Sequence, residues 1–385
     1  MRDARAVQLK GVAAPIEVVV IDWRQPPPAT FGAVPAFVRG VDLSCALYQE
    51  VVSGLIGDRR HAAALMGEGS EVLGYDSQRS TDHAWGLRLQ IFVGIDDVEP
   101  VRQAIHDGLP AQFRGWPTRY YRWQSGRDDV HVEVATVHDW LLQWLRFDPR
   151  PVMTIARWLS TPQQLLLEVT AGAVYRDDLG ELTAVRDLLR WYPHEVWMWM
   201  MGCQWAAIAR YEPLVARTAE AGDDLGSRII AARLASEIMR LCLLQERRYA
   251  PYAKWLGTAF SQLEAAEAVG VGDILAARDH LAREKAMTAS LVAVARRHND
   301  LAVTEPVEPS ITQFVTVNGA IRPYRVLNAV RYERACLGAI AGSPLLHLGS
   351  VGSIDQVEAS DEVVHFSDWS QRLAEIFEQK LAETQ

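Results

Sequence analysis

The sequence predicts an α+β protein, a small mixed-sheet domain followed by an α-helical domain. Three observations lead there. Short alternating strands interleave with helical stretches up to about residue 150, the pattern of a compact sheet covered by helices. From Pro151 onward nearly every segment has helical spacing, broken by prolines and glycines. The chain's 385 residues are enough for two cores. The expected organisation is an N-terminal extension over residues 1–34, an α/β domain over 35–150, a helical domain over 151–300, and a segment over 301–385 that packs on the helical domain.

Residues 16–21 (IEVVVI) read as a strand, and Pro26, Pro27 and Pro28 then end regular structure. Phe37, Val41, Leu43, Leu47, Val51 and Leu55 predict a helix over 35–58. Residues 61–66 form a short buried strand that runs into the turn composition of 67–70. The clearest strand is 87–95: Leu87, Leu89, Ile91, Val93 and Ile95 share one face, Arg88 and Gln90 the other. A helix over 97–109 and a strand over 130–136 follow, with His131 and Glu133 opposite Val130, Val132 and Val134. Thr161 and Pro162 open a helix with proline in its first turn. Further helices are expected over 225–248, 249–268, 273–298, 324–341 and 369–381. Trp191, Trp197, Trp199 and Trp205 lie on or just before a helix that is apolar nearly all round. Such a helix is either a buried central element or one wall of an aromatic pocket.

Composition excludes several function classes. Net charge is −9 and the basic residues are scattered, so a broad grip on nucleic acid is disfavoured, whereas a local basic pocket for a nucleotide is not. Cys45, Cys203, Cys242 and Cys336 lie far apart with no CxxC pair, as reduced thiols of a cytoplasmic protein do. The longest apolar run, near 196–209, contains Gly202 and Gln204 and is too short for a bilayer. No apolar h-region follows the first residues. The expected partner is therefore a small-molecule substrate, with no nucleic acid and no membrane.

The chemistry concentrates between residues 66 and 133. If the 87–95 strand begins near Asp82, a period of two sets Asp82, Ala84, Arg88 and Gln90 on one face, beside His131 and Glu133 of the next strand. Facing the glycine turn, Arg88 and backbone N–H groups suit phosphate oxygens, and the carboxylates suit hard cations. Each residue also has a plainer reading. Gly69 and Ser70 read equally as a strand-to-loop turn, Asp82 as a cap, and His131 and Glu133 as the solvated face of an edge strand. Lys254, between Tyr252 and Trp255, reads either as a phosphate ligand or as a snorkelling surface lysine. Asp177 and Asp178 before Gly180 fit a turn, and Asp223 and Asp224 fit a helix cap.

Gly69, Ser70, Gly74, Ser80, Thr81, Asp82, His83, Trp85, Gly86 and Arg88 together resemble the nucleotidyltransferase fold. More narrowly they resemble a bacterial family known as domain of unknown function 4037. The resemblance continues through residues 172–193 and 249–260, and so spans 35 to about 300. It implies a nucleotidyltransferase-like domain over 35–150, with the site in the cleft between the domains. It also implies a nucleoside triphosphate donor, ATP or another, and magnesium held by an Asp-x-Asp pair with a third carboxylate. By resemblance Asp82 is the first metal ligand and Glu133 the candidate third. Ser70 lies at the phosphate turn with Gly69, while Arg88 and Lys254 contact the nucleotide. Ala84 stands where the second metal ligand belongs, so ordinary two-metal transfer is in doubt. The reading that follows is an enzyme modifying a small hydroxyl- or amine-bearing metabolite. Its alternatives are a catalytically degenerate nucleotide- or metabolite-binding protein, or an enzyme reusing the cleft for a metal-independent reaction of specialised metabolism, with Asp82, Glu133 or His131 as acid/base groups.

Overall fold

A computed structural model describes residues 4–7, 16–19, 35–82, 85–122, 127–357 and 367–382. At its centre is a four-stranded mixed sheet: β1 (Ala62–Leu65), β2 (Leu89–Phe92), β3 (Val132–Ala135) and β4 (Ala173–Asp177), in the order β4-β1-β2-β3. β1 runs antiparallel to both β2 and β4. β2 and β3 are parallel, with Gln90 beside Glu133. A parallel pair needs a long crossover, and the segment between β2 and β3 supplies one. It carries a helix (Val98–Gly108) and the hairpin of Arg119–Arg122 with Arg127–Val130.

The two faces of the sheet bury different things. Ala63, Leu89, Ile91, Val132 and Val134 pack on Leu43, Leu47, Val52 and Ile56, and on Val101 and Ile105 of the crossover helix. Leu43 and Leu47 belong to the helix Gly40–Leu47, which continues through a π-helical turn, Tyr48–Val52, into Ser53–Ile56. Ala62, Ala64, Met66 and Phe92 face the other way, onto Trp140, Leu141 and a core continuous with the helical half. That half contains α1 (Gln163–Thr170), α2 (Glu181–Leu188), α3 (His194–Glu220), α4 (Asp224–Gln245), α5 (Ala253–Ser261) and α6 (His280–Asp300). Helices Val330–Gly338 and Ser367–Ala382 follow.

α3 is the buried centre of this half. Trp197, Trp199 and Trp205 are shielded from solvent, and their indole N–H groups donate to Leu244 O, Gly349 O and His298 Nδ1. Each such side chain contributes roughly 1.5–3 kcal/mol by leaving water. Their hydrogen bonds go to protein groups, as a core element requires. Glu212, also on α3, receives the backbone N–H groups of Leu327, Asn328 and Ala329 and fixes the loop after the Thr312–Val315 and Ile321–Val326 hairpin. Asp177 accepts from Gly180 and Thr183, and Asp223 from Gly226, so these two serve as turn and cap. Among the described residues no helix is long and apolar enough to cross a membrane, and the four cysteines are unpaired.

Three features differ from the sequence expectation. Asp82 ends a 3-10 turn, Gln78–Asp82, and β2 begins only at Leu89. Gly86, at φ 151°, interrupts extended backbone between them, so the period of two does not carry from Asp82 to Arg88. The 312–326 hairpin runs into the start of the chain expected as a helix over 324–341. β4, inside the helical half, returns to the sheet as an edge strand.

Gly172, immediately before β4, has φ 70°, and a Cβ there would stand 2.0 Å from Leu65 O. Its N–H donates to Val72 O at 3.0 Å, and Gly67 N donates to Glu168 O at 2.9 Å. These contacts bind the glycine turn to the helical half. Gly172→Ala is expected to lower unfolding free energy by at least about 2 kcal/mol in urea denaturation, since a left-handed residue is strained and its new methyl meets backbone. Gly180→Ala, which has φ 72° but nothing within 4 Å, should cost only about 1 kcal/mol.

Candidate functional site

β2 and β3 lie side by side, and a cleft of about 530 Å³ opens along β3, which is an edge strand; residues of both sheet faces line it, Gln90 and Glu133 with Val132 and Val134. Arg88, Gln90, His131 and Glu133 line it, together with Glu68, Trp140, Gln143 and Trp144; Arg102, His106, Tyr121 and Asp129 form its outer rim. Every lining residue falls between 66 and 144. The cleft lies in the sheet region, where Trp140 and Trp144 join its lining to the core shared with the helical half. Glu168 of α1 backs it from behind the turn.

The 67–70 turn is built by its glycines. Gly67 (φ 86°) carries no Cβ, which would press on the Trp144 ring at 3.2 Å. Gly69 (φ 127°) is more restricted: a Cβ there would sit 2.6 Å from Glu71 Oε2 and 2.7 Å from Arg88 Nη1. Only glycine lets that carboxylate and guanidinium close over the turn. Gln90 completes the support, its Oε1 accepting from Met66 N at 2.8 Å.

Arg88, expected from the sequence to face phosphate oxygens, is already paired with a carboxylate. Its Nη1 donates to Glu71 Oε1 at 2.7 Å in a nearly buried ion pair. Burial opposes the Arg88 charge, yet Glu71, and more distantly Tyr120, Glu68 and Glu133, hold the guanidinium protonated. Burial pushes the Glu71 carboxyl up, against the pull of Arg88. A guanidinium has five N–H donors, and among the described residues only the bond to Glu71 engages any of them. The backbone N–H groups of Glu68, Gly69 and Ser70 likewise meet no acceptor among the described residues.

His131 stacks on the Tyr120 ring, centroids 3.6 Å apart, and its Nε2 lies 3.1 Å from Tyr120 O. A carbonyl only accepts, so in the neutral ring Nε2 carries the proton and Nδ1 is the basic nitrogen. Lys254 is exposed, its Nζ 4.9 Å from the centre of the Trp255 ring, and it is not among the residues lining the cleft. The side chain of Asp82, and His83 and Ala84 entirely, lie outside the described residues. Among those described, no three His, Cys, Asp or Glu side chains are grouped to hold a metal.

Two carboxylates that sequence reasoning missed belong to this site. Glu71 follows the Gly-Ser turn, and an acidic residue directly after that turn was the available signal. Glu168 lies on α1, with Oε1 accepting from Gln164 Nε2 at 2.8 Å. Nothing local in its helical sequence marks it; only the fold carries it behind Gly67.

Comparison with known proteins places the helical half. The family model described as Domain of unknown function (DUF4037) matches residues 158–256. The match takes in α1, β4 and the helices up to α5, while the glycine turn and Asp82 precede it. Among solved structures, a nucleotidyltransferase-like protein from Exiguobacterium sibiricum 255-15 is similar at 11% identity and TM-score 0.27, over 71% of this chain and 82% of that one. No curated protein matches. The chain is thus a mixed α/β protein that resembles the DUF4037 family across its helical half.

Glu168 gives the site a pH signature. Burial, reinforced by Glu68 and opposed by the Gln164 hydrogen bond, pushes its carboxyl up to about 7. The folded protein then holds a proton that the unfolded chain releases near the usual glutamate value, so stability falls as pH rises from about 4.5 to about 7. Glu168→Gln keeps an acceptor for Gln164 and removes the proton. We expect its denaturation midpoint to match wild type near pH 4.5 and to exceed it by pH 8, by on the order of 2 kcal/mol. Equal pH profiles for the two proteins would contradict this assignment.

Proposed function

We propose that the protein is a nucleotidyltransferase-like enzyme that takes a nucleoside triphosphate at the 67–70 turn and modifies a small hydroxyl- or amine-bearing metabolite in the adjoining cleft. The observation that supports this reading is a set of donors that meet no acceptor among the described residues: the N–H groups of Glu68, Gly69 and Ser70 in the turn, and those remaining on Arg88, which with Glu68 lines the cleft. Successive backbone N–H groups beside a guanidinium suit phosphate oxygens. In the transfer, the acceptor oxygen or nitrogen bonds to the α-phosphorus, the bond to the bridging oxygen breaks, and pyrophosphate leaves. The acceptor's proton passes to a base, a role we assign to Glu133 or His131, both of which line the cleft. The described residues alone do not compose a magnesium site, so no step is assigned to the metal that Asp82 and Glu133 were expected to hold.

A second reading has a specific observation in its favour. Glu71 already neutralises Arg88, and Ala84 supplies no ligand. Both fit a protein that binds a nucleotide or metabolite without two-metal chemistry, or one that reuses Glu133 and His131 for a metal-independent reaction.

Calorimetric titration with ATP and GTP, with and without magnesium, separates these. The enzyme reading predicts binding in the micromolar to millimolar range that Asp82→Ala weakens at least tenfold in the presence of magnesium. Binding indifferent to magnesium and to Asp82→Ala, with magnesium-dependent transfer gained on Ala84→Asp, points to the second reading. A folded wild type that binds neither nucleotide removes the triphosphate donor from both.

A further inference from the structure

The Glu71–Arg88 pair has a consequence for which ligands the cleft retains. Glu71 is 2% exposed and meets Arg88 through Nη1 alone. Arg88 is 9% exposed, lines the cleft, and keeps N–H groups that meet no acceptor among the described residues. Buried donors of a charged group are costly to leave unmet, so the arrangement calls for an acceptor from the ligand. Yet the charge that would attract an anion is offset by a carboxylate at contact distance. In a poorly hydrated setting that offset is large, because little solvent screens either charge.

We propose that Glu71 is a charge-tuning residue of the anion site: it orients Arg88 toward the cleft while its negative charge weakens the grip of Arg88 on phosphate-like ligands. The claim rests on the anion-binding reading of this cleft and adds the means by which its affinity is set. Glu71 is fixed for this role by its surroundings. Gly69 leaves room for its carboxylate, and Gly40 leaves room for its Cβ, where a side chain at 40 would come within 2.6 Å. Asp76 is the other charged group acting on Glu71, and its repulsion adds to the effect of burial. Asp76 itself accepts from Gly40 N and Trp85 Nε1, with Arg39 4.0 Å away. Around Arg88 stand Glu68, Glu133 and Tyr120. Protonation of Glu71 leaves the hydrogen-bonding frame standing and restores the full charge of Arg88 to the cleft. The proposal therefore makes anion affinity depend on the proton at this one carboxyl.

The test uses the full chain and sulfate, which keeps two charges throughout, titrated calorimetrically between pH 5.5 and 8.5 at constant ionic strength. All other groups are common to the proteins compared, so the informative quantity is the affinity of Glu71→Gln relative to wild type. The amide retains an acceptor for Arg88 and removes the charge. We expect this ratio to favour the variant at least fivefold at pH 8.5 and to shrink as pH falls, because burial raises the Glu71 carboxyl and favours its protonated form. A purely structural role for Glu71 would not widen with pH. A ratio flat at one, or a variant weaker at every pH while folded by circular dichroism, overturns the proposal. Glu71→Asp, which withdraws the carboxylate by one methylene, is the second variant. It should gain at least twofold at pH 8.5, and no gain counts against the claim. Should wild type bind no ATP while Glu71→Gln gains sulfate affinity as described, the donor assignment fails and the tuning role stands.

Discussion

The site depends on how closely the glycine turn is held to the helical half of the molecule. Gly172 approaches Leu65 so tightly that no side chain fits, and its N–H closes on Val72 O; Gly67 N closes on Glu168 O. Between these two points lies the whole 67–72 segment. β4 then zips onto β1 with Ala173 opposite Leu65, so a strand from the helical half becomes the edge of the sheet that carries the cleft. The helical half acts less as an opposing jaw than as a foundation. It fixes the backbone of the turn from behind, while Glu68, Arg88, Gln90, His131 and Glu133 open on the other side.

On that foundation the turn holds an unusual arrangement, a buried carboxylate and guanidinium lying over a glycine. Buried pairs of this kind add little net stability, because desolvating both charges offsets most of their attraction. They do fix geometry. Among the described residues Arg88 is held by one nitrogen and left with donors unspent, as are three backbone N–H groups of the turn. In the helical half the three tryptophan N–H groups of α3 end on protein acceptors, and Glu212 gathers three backbone N–H groups.

Much of this frame is legible in the sequence, and the reasons differ by element. The β2 and β3 strands announce themselves by alternation, and their parallel register places Gln90 and Glu133 side by side, so the grouping of Arg88, His131 and Glu133 follows from period two. α3 is legible because an all-apolar helix has to be central. Asp82 is a different case. Counting by twos assumed unbroken extended chain, and Gly86 interrupts it. β4 was invisible because AVYRD, an edge strand with Val174 and Arg176 exposed, shows no buried alternation; its place comes from a long-range pairing that no local pattern encodes. Glu71 and Glu168 escaped for the same reason. A glutamate in a polar turn and one in a helix look solvated until the tertiary contacts of Gly69 and Gly67 bring them inside. Lys254 had aromatic neighbours on both sides in sequence, but in the fold it stays at the surface over Trp255.

The central claim is that ligand contact is made at the 67–70 turn and Arg88, with the helical half as support. Hydrogen–deuterium exchange of the full chain, with and without saturating ATP and magnesium, tests it most directly because amide protection is read segment by segment. The account predicts slower exchange in peptides covering 66–73 and 86–90, and no change in those covering 224–245. Protection confined to other segments, with 66–73 unaffected, would contradict it.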